Sequence, residues 1–185
     1  MNEALEHLGY HATSEDDYQP CKRIFDSIPP YYKKKHGDHT DVLKVNITFK
    51  NSNKYNPLID MLWDPDGDNL FNNGSVKKKI VRVYAPNLVM IQQRYKKGFM
   101  SRQKYFYALL KKVQISENIT IIVMASANIN DYNPSNNEYK NTIVESANSF
   151  KTDINSEDDI RKGELKKVFV NIAGYLVEKN PDLLI

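Results

Sequence analysis

From Val81 to Lys179 the apolar and aromatic positions crowd into long runs: Val81–Tyr95, Lys104–Val113, Ile119–Asn128 and Lys167–Glu178. These runs are rich in Val, Ile, Tyr and Phe, the residues that suit a pleated, half-buried surface, and they read as strands. Their centres are apolar on both faces, since Tyr105, Tyr107 and Leu109 alternate with Phe106, Ala108 and Leu110. A sheet apolar on both sides needs an apolar layer against each of them. One side can take a helix or further chain and the other can take a ligand. The pattern points to a container rather than a catalyst.

Upstream, Ala4, Leu5 and Leu8 fall at helical spacing and predict a short helix over Asn2–Tyr10. Thr13–Pro30 is rich in turn formers and holds short β-like pieces around Cys21–Phe25, and Tyr31–Gly37 reads as an edge strand. Over Asp41–Lys50, Val42, Leu43, Val45, Ile47 and Phe49 interleave with polar residues, which predicts a strand with one face to a core. Ser52 and Asn53 supply helix-start chemistry, and Pro57 is tolerated in a first turn. Leu58, Ile59, Leu62 and Trp63 then form an apolar stripe that Pro65 and Gly67 end. Asn130–Glu138 is polar and turn-rich, Tyr139–Asn148 holds a short helix or strand, and Ser156–Lys162 a helical turn. The order helix, strands, helix and then a run of strands predicts an α+β fold with a mainly antiparallel sheet, formed as a single domain over residues 1–185.

Charge changes this picture little. The net charge is +3, and the lysines come in short clusters, such as Lys33–Lys35, Lys77–Lys79 and Lys111–Lys112, that favour passing contact with an anionic membrane surface. Cys21 is alone, so neither an internal disulfide nor a cysteine metal site can form. Met1–Tyr10 lacks the apolar core of a signal peptide, and no run reaches the length of a membrane span; no targeting signal is expected within the chain.

The motifs that carry chemistry are sparse. Glu157, Asp158 and Asp159 are consecutive, so they are expected to diverge as a solvated helix start rather than converge on a metal. Asp64-Pro65-Asp66-Gly67-Asp68 has the alternating carboxylates of a calcium loop but lacks its closing glutamate, and reads as a turn. Asn46-Ile47-Thr48 and Asn118-Ile119-Thr120 fit the glycosylation acceptor pattern. Tyr105-Phe106-Tyr107 between lysines has the composition of a base-stacking platform, but the glycine-rich signatures of such modules are missing, so no nucleic-acid partner is expected. No phosphate loop or nucleophile elbow is present; no catalytic residue, metal or cofactor is expected.

Asn53-Lys54-Tyr55-Asn56 followed by Met61-Leu62-Trp63-Asp64 resembles the Trp-Asp helix of START-type lipid-transfer domains, and Met100–Tyr107 resembles their loop into an aromatic strand. The runs Val81–Tyr84, Pro86–Tyr95, Ser101–Leu109, Ile121–Asn130, Ser146–Phe150, Ser156–Arg161 and Phe169–Leu176 more closely resemble the START-related fam-a proteins of malaria parasites. The resemblance covers most of the chain from Tyr31 onward. It implies a START-type helix-grip, a curved antiparallel sheet around a C-terminal helix, with a lipid-sized cavity between them. It also implies binding and transfer of a phospholipid, phosphatidylcholine first, and export to the host red cell or parasitophorous vacuole. Two departures stand out. Gln103, Lys104 and Leu109 occupy positions where the START pattern has Arg-Asp and a further Arg, and the chain ends before the family's last strand and roof helix, so the cavity face is expected to be bare unless other chain covers it.

Strand alternation together with the resemblance places Tyr105, Tyr107 and Leu109 on the cavity face, with Ile121, Val123 and Ala125, with Ile172, Gly174 and Leu176, and with Met90 and Gln92 from the preceding strand. Trp63 reads as packing. The expected function is a lipid carrier. The alternatives are an interaction protein that keeps the fold without transfer, and a cyclase-type enzyme, which needs a polar, titratable cavity.

Overall fold

The computed structural model describes residues 1–21, 30–37, 40–49, 52–64, 76–96, 98, 101–135 and 139–179. In chain order they form α1 (Asn2–Thr13), β1 (Gln19–Pro20), β2 (Tyr31–His36), β3 (Thr40–Val45), α2 (Tyr55–Trp63), β4 (Val76–Ala85) and β5 (Leu88–Tyr95). There follow β6 (Lys104–Ser116), β7 (Ile119–Ala125), β8 (Asn128–Asn130), a 3-10 turn at Glu145–Ser149, β9 (Lys151–Asp153), α3 (Asp158–Arg161), β10 (Lys166–Lys167) and β11 (Ala173–Glu178). The fold is α+β around a large antiparallel sheet in the order β11-β7-β6-β5-β4.

The long β6 organises that sheet. It pairs with β5 along Lys104–Lys111 and with β7 along Leu109–Ser116. Where β7 stops at Ala125, the short parallel β10 takes its place beside Lys104 and Tyr105. The apolar run expected as one strand from Val81 to Tyr95 is two, β4 and β5, because Pro86-Asn87 turns the chain between Ala85 and Leu88. The run from Lys167 to Glu178 is likewise split. Between β10 and β11, Val170 exchanges hydrogen bonds with Ser126, its carbonyl accepting from the Ser126 amide and its amide donating to Oγ, which pins the chain as it crosses from β6 to the outer side of β7.

Period-2 alternation divides the two cores. Met90, Tyr105, Tyr107, Leu109, Ile121, Val123 and Ala125 share one face and pack against Ala4, Leu5 and Leu8 of α1 and against Ile129, Ile143, Val144, Ile154 and Ile160. Val89, Ile91, Phe106, Ala108, Leu110, Ile122 and Val177 share the other, beneath Leu58, Ile59, Leu62 and Trp63 of α2. The face expected to be bare is thus covered, by α1 and by the chain between β7 and β10. Gly174 shows how close the cover lies: a Cβ there would stand 2.2 Å from the Ile122 carbonyl oxygen and 2.9 Å from Leu8 Cδ2.

The N-terminal region departs from its pattern. α1 continues past Tyr10 to Thr13, closed by the Ser14 amide on the Tyr10 carbonyl at 2.8 Å. β2 is the middle strand of a three-stranded sheet, order β1-β2-β3, not an edge. The strand expected over Asp41–Lys50 ends at Val45, and only Val42 turns to the core. Leu43 is 62% exposed and Val45 is exposed with it, on the face of this small sheet opposite Val42, and Ile47 and Phe49 are exposed beyond the end of the strand. Before α2, Ser52–Lys54 form a 3-10 turn and the cap position falls to Lys54 rather than to Ser52 or Asn53. The pieces predicted around Cys21–Phe25, beyond Cys21, and the Pro65–Asp68 turn lie outside the described residues.

Gly174→Ala is expected to cost about 2–3 kcal/mol, because the new methyl meets backbone that cannot yield. Gly9→Ala, in the helix with nothing within 4 Å of the new Cβ, is expected to gain about 0.5–1 kcal/mol. Urea unfolding of both variants checks the pair; similar effects of one sign would contradict the packing of β11 under α1.

Candidate functional site

All the residues assigned to the cavity face stand on one side of the sheet. Tyr105, Tyr107 and Leu109 rise from β6, Ile121, Val123 and Ala125 from β7, Met90 and Gln92 from β5, and Gly174 and Leu176 from β11, with Ile172 just before it. They do not line an open chamber. α1 lies along β7 and β11 with Leu5 and Leu8 against this face, and the residues of β5, β6 and β7 in it are almost wholly buried. The face opens at one end, into a cleft of about 720 Å³ between the start of α1, the β4–β5 turn and the 3-10 turn. Met1, Tyr84, Leu88, Leu109, Ala147 and Phe150 give it apolar walls. Glu3 and Lys111 stand at its mouth. Leu109 belongs to both cleft and buried face, so the two are continuous.

Charge holds the cleft's margins in place. The Glu3 carboxylate accepts the amides of Glu145 and Ser146 at 2.9 and 2.8 Å, which fastens the start of α1 to the 3-10 turn and lowers the Glu3 pKa, Ser146 being the main cause. Lys111 Nζ donates to Asn2 Oδ1 at 2.9 Å. The Tyr84 and Phe150 rings meet edge to face at 5.8 Å.

The opposite end of the same face is polar. Gln92 Nε2 donates to the Tyr107 hydroxyl at 2.7 Å and to Glu157 Oε2 at 2.8 Å, and Arg94 Nε donates to Gln92 Oε1 at 2.9 Å. Arg94 grips Asp159 through both terminal nitrogens, at 2.6 and 3.2 Å, and reaches Glu157 at 3.0 Å. Lys79 closes the cluster on Glu157. Beside it the Tyr105 hydroxyl donates to Asp131 Oδ2 at 2.8 Å, and Lys167 Nζ neutralises that buried carboxylate at 2.7 Å. Burial pushes the Tyr107 hydroxyl up to about 12 and Tyr105 well above its ordinary range, with the Asp131 bond adding to the latter. Burial alone would raise Glu157, but the Lys79 and Gln92 hydrogen bonds outweigh it and hold the carboxyl at about 2.

The acidic run therefore behaves differently from its expectation. Asp158 is exposed, yet Glu157 and Asp159 converge on Arg94, because the α3 turn starts directly over β5 and swings positions one and three of the run to the same side. Sequence reasoning missed Arg94, Asp131 and Lys167. Arg94 did carry a signal, a cation two residues from Gln92 and so on the inward side of β5, while Asp131 and Lys167 are joined only by tertiary structure. Tyr105, Phe106 and Tyr107 are buried, which removes them as a base-stacking platform. Among the described residues no group of three or more His, Cys, Asp or Glu side chains is placed to hold a metal ion, and no helix is long and apolar enough to cross a membrane. No family profile matches the chain, and no curated protein matches it in sequence.

Arg94→Leu strands Asp159 and leaves Glu157 with Lys79 and Gln92 alone. Since both carboxylates are about a third exposed, the expected cost is about 1–3 kcal/mol, below that of a fully buried pair. Glu157 titrates below its ordinary 4.5, so its contribution is complete above that pH and fades as pH falls from 4.5 towards 2. Thermal melts across that window should decline less steeply for Glu157→Gln than for the parent chain; parallel declines would show that Glu157 is not held by this cluster.

Proposed function

We propose that the chain is a lipid-binding and transfer protein of START-like helix-grip type, related to the fam-a proteins of malaria parasites, that carries a phospholipid against the β5–β6–β7–β11 face. One observation carries the reading: a continuous apolar face, from Val123 and Leu176 to Leu109, runs out into an apolar cleft at the surface. An acyl chain entering there leaves water at a gain of about 0.8 kcal/mol per buried CH₂. The cleft lining suits a zwitterionic headgroup such as phosphocholine: Lys111 meets a phosphate in exchange for its bond to Asn2, and the Tyr84 and Phe150 rings meet a quaternary ammonium. Desolvation of that headgroup is offset only where such partners meet it.

Binding and release need no bond to be made or broken, so the reading assigns no catalytic residue and no cofactor. The strongly shifted groups, Tyr105, Tyr107, Tyr139 and Glu157, are engaged in side-chain hydrogen bonds, and that favours a carrier over a cyclase-type enzyme. Lysine clusters serve brief contact with an anionic membrane. Export to the host red cell or the parasitophorous vacuole follows from the fam-a resemblance. A second reading, an interaction protein that keeps the fold without transfer, is favoured by the exposed row Leu43, Val45, Ile47 and Phe49, which offers a partner an apolar surface.

Leu88→Gln puts an amide in the cleft wall away from the buried core. Transfer of fluorescent phosphatidylcholine between liposomes is expected to fall by about tenfold or more, the equivalent of ~1.4 kcal/mol, with the melting temperature nearly unchanged. Undiminished transfer would sink the cleft as entry route. No transfer by the parent chain itself would move the weight to the interaction reading.

A further inference from the structure

α1 is fastened at its two ends by different chemistry. At its start the Glu3 carboxylate holds the 3-10 turn. At its end three imidazoles gather: the His11 ring lies 6.2 Å from His36, and His7 lies 6.4 Å from the same His36, both edge to face. His11 is buried, with Nδ1 at 2.9 Å from the Tyr18 hydroxyl. His36 Nε2 reaches the Thr142 carbonyl at 3.3 Å, so the cluster ties α1 and β2 to the segment that follows β8.

The charged groups around this cluster are unevenly placed. From β2 comes Lys34, bonded to Tyr10 and to the Asp16 carbonyl, and from β3 comes Lys44, bonded to the Ser14 carbonyl. Among the described residues carboxylates stand at the margins: Glu3 lies 3.7 Å from His7, and Asp17 lies 3.8 Å from Lys34. The ring of His11 itself meets Tyr10, Tyr18 and His36. The strands beneath α1, β7 and β11, turn Val123, Gly174 and Leu176 to it and offer no countercharge.

We infer that α1 is a pH-released cover: protonation of His11, buried at the end of α1 against His36 and Tyr18, loosens the helix's C-terminal end from the sheet and bares the apolar face of β7 and β11. The inference rests on the lipid-carrier reading for its purpose, since the bared face is the one assigned to acyl chains. Burial, then the charges of His36, His7, Lys34 and Lys44, hold the His11 imidazole below its ordinary value of 6.5. The docked helix therefore binds fewer protons than the released one, so docking is complete above that value and weakens as pH falls through it. Release need not melt the helix, because an imidazolium in the last turn suits the helix dipole. An anionic membrane, at about −30 mV, concentrates protons about threefold at its surface, which biases the cover towards opening where lipid is exchanged.

Amide hydrogen exchange on the full chain, corrected for intrinsic rates, tests the cover directly. Between about pH 7.5 and pH 5.5 the protection of the α1 amides is expected to fall about twofold or more, while the amides of β5 and β6 keep theirs. His11→Gln keeps a partner for Tyr18 without the charge and should flatten that response; His36→Gln, which removes the facing charge alone, should bring His11 closer to its ordinary value, shrinking the response and moving its midpoint upward. Equal α1 protection at the two pH values, or an unaltered response in both variants, would overturn the inference. Fluorescent phosphatidylcholine transfer run on the same samples separates the two ideas. PH-dependent release without transfer at either pH upholds the cover and removes the lipid reading.

Discussion

Burial of β6 on both of its faces is the constraint from which the rest of the structure follows. Tyr105, Tyr107 and Leu109 point one way and Phe106, Ala108 and Leu110 the other, and none of them is more than marginally exposed. A strand of this kind cannot end at one hydrophobic layer. It demands α2 on one side and α1 with the chain between β7 and β10 on the other. The α1 layer joins the sheet through Ala4, Leu5 and Leu8. The cleft at Leu109 is where that layer ends.

The polar clusters on the same face fit this arrangement. Gln92 and Arg94 continue the inward row of β5 past Met90, where an unpaired amide or guanidinium would be costly. The fold answers with Glu157 and Asp159 from α3, and with Lys167 against Asp131. Each buried polar group is matched, and no buried side-chain nitrogen or oxygen among the described residues lacks a partner. These bonds fix the chain from β8 to β10 over the sheet at the end remote from the cleft. One end of the face is thereby locked by ion pairs, and the other is left apolar and open.

Much of the sheet was legible in the sequence because period-2 alternation is a local signal. It separated Tyr107 from Phe106, and together with the family resemblance it put Tyr107, Val123 and Leu176 on a common side. The joints were harder to read. Pro86 divides one apolar run into a hairpin, and Ser126 divides another by capturing Val170, which is a tertiary event with no periodicity of its own. Asp41–Lys50 misled for a related reason: alternation records that one face is apolar but not that a core lies there, and Leu43 and Val45 face outward. The pairing of Glu157 and Asp159 on Arg94 was hidden because a helix start reads as solvated, and the cation that its first and third acids meet stands on β5, a neighbour only in the folded chain.

The central claim is that one apolar face, now covered by α1, is the seat of a lipid's acyl chains. Photocrosslinking with phosphatidylcholine that carries a photoactivatable group at the end of an acyl chain tests it most directly, with the adducts mapped by mass spectrometry. The account predicts adducts at Tyr107, Leu109, Val123 and Leu176 and on the facing side of α1. Adducts confined to the exposed row from Leu43 to Phe49, or to the α2 side of the sheet at Phe106 and Ile122, would contradict it.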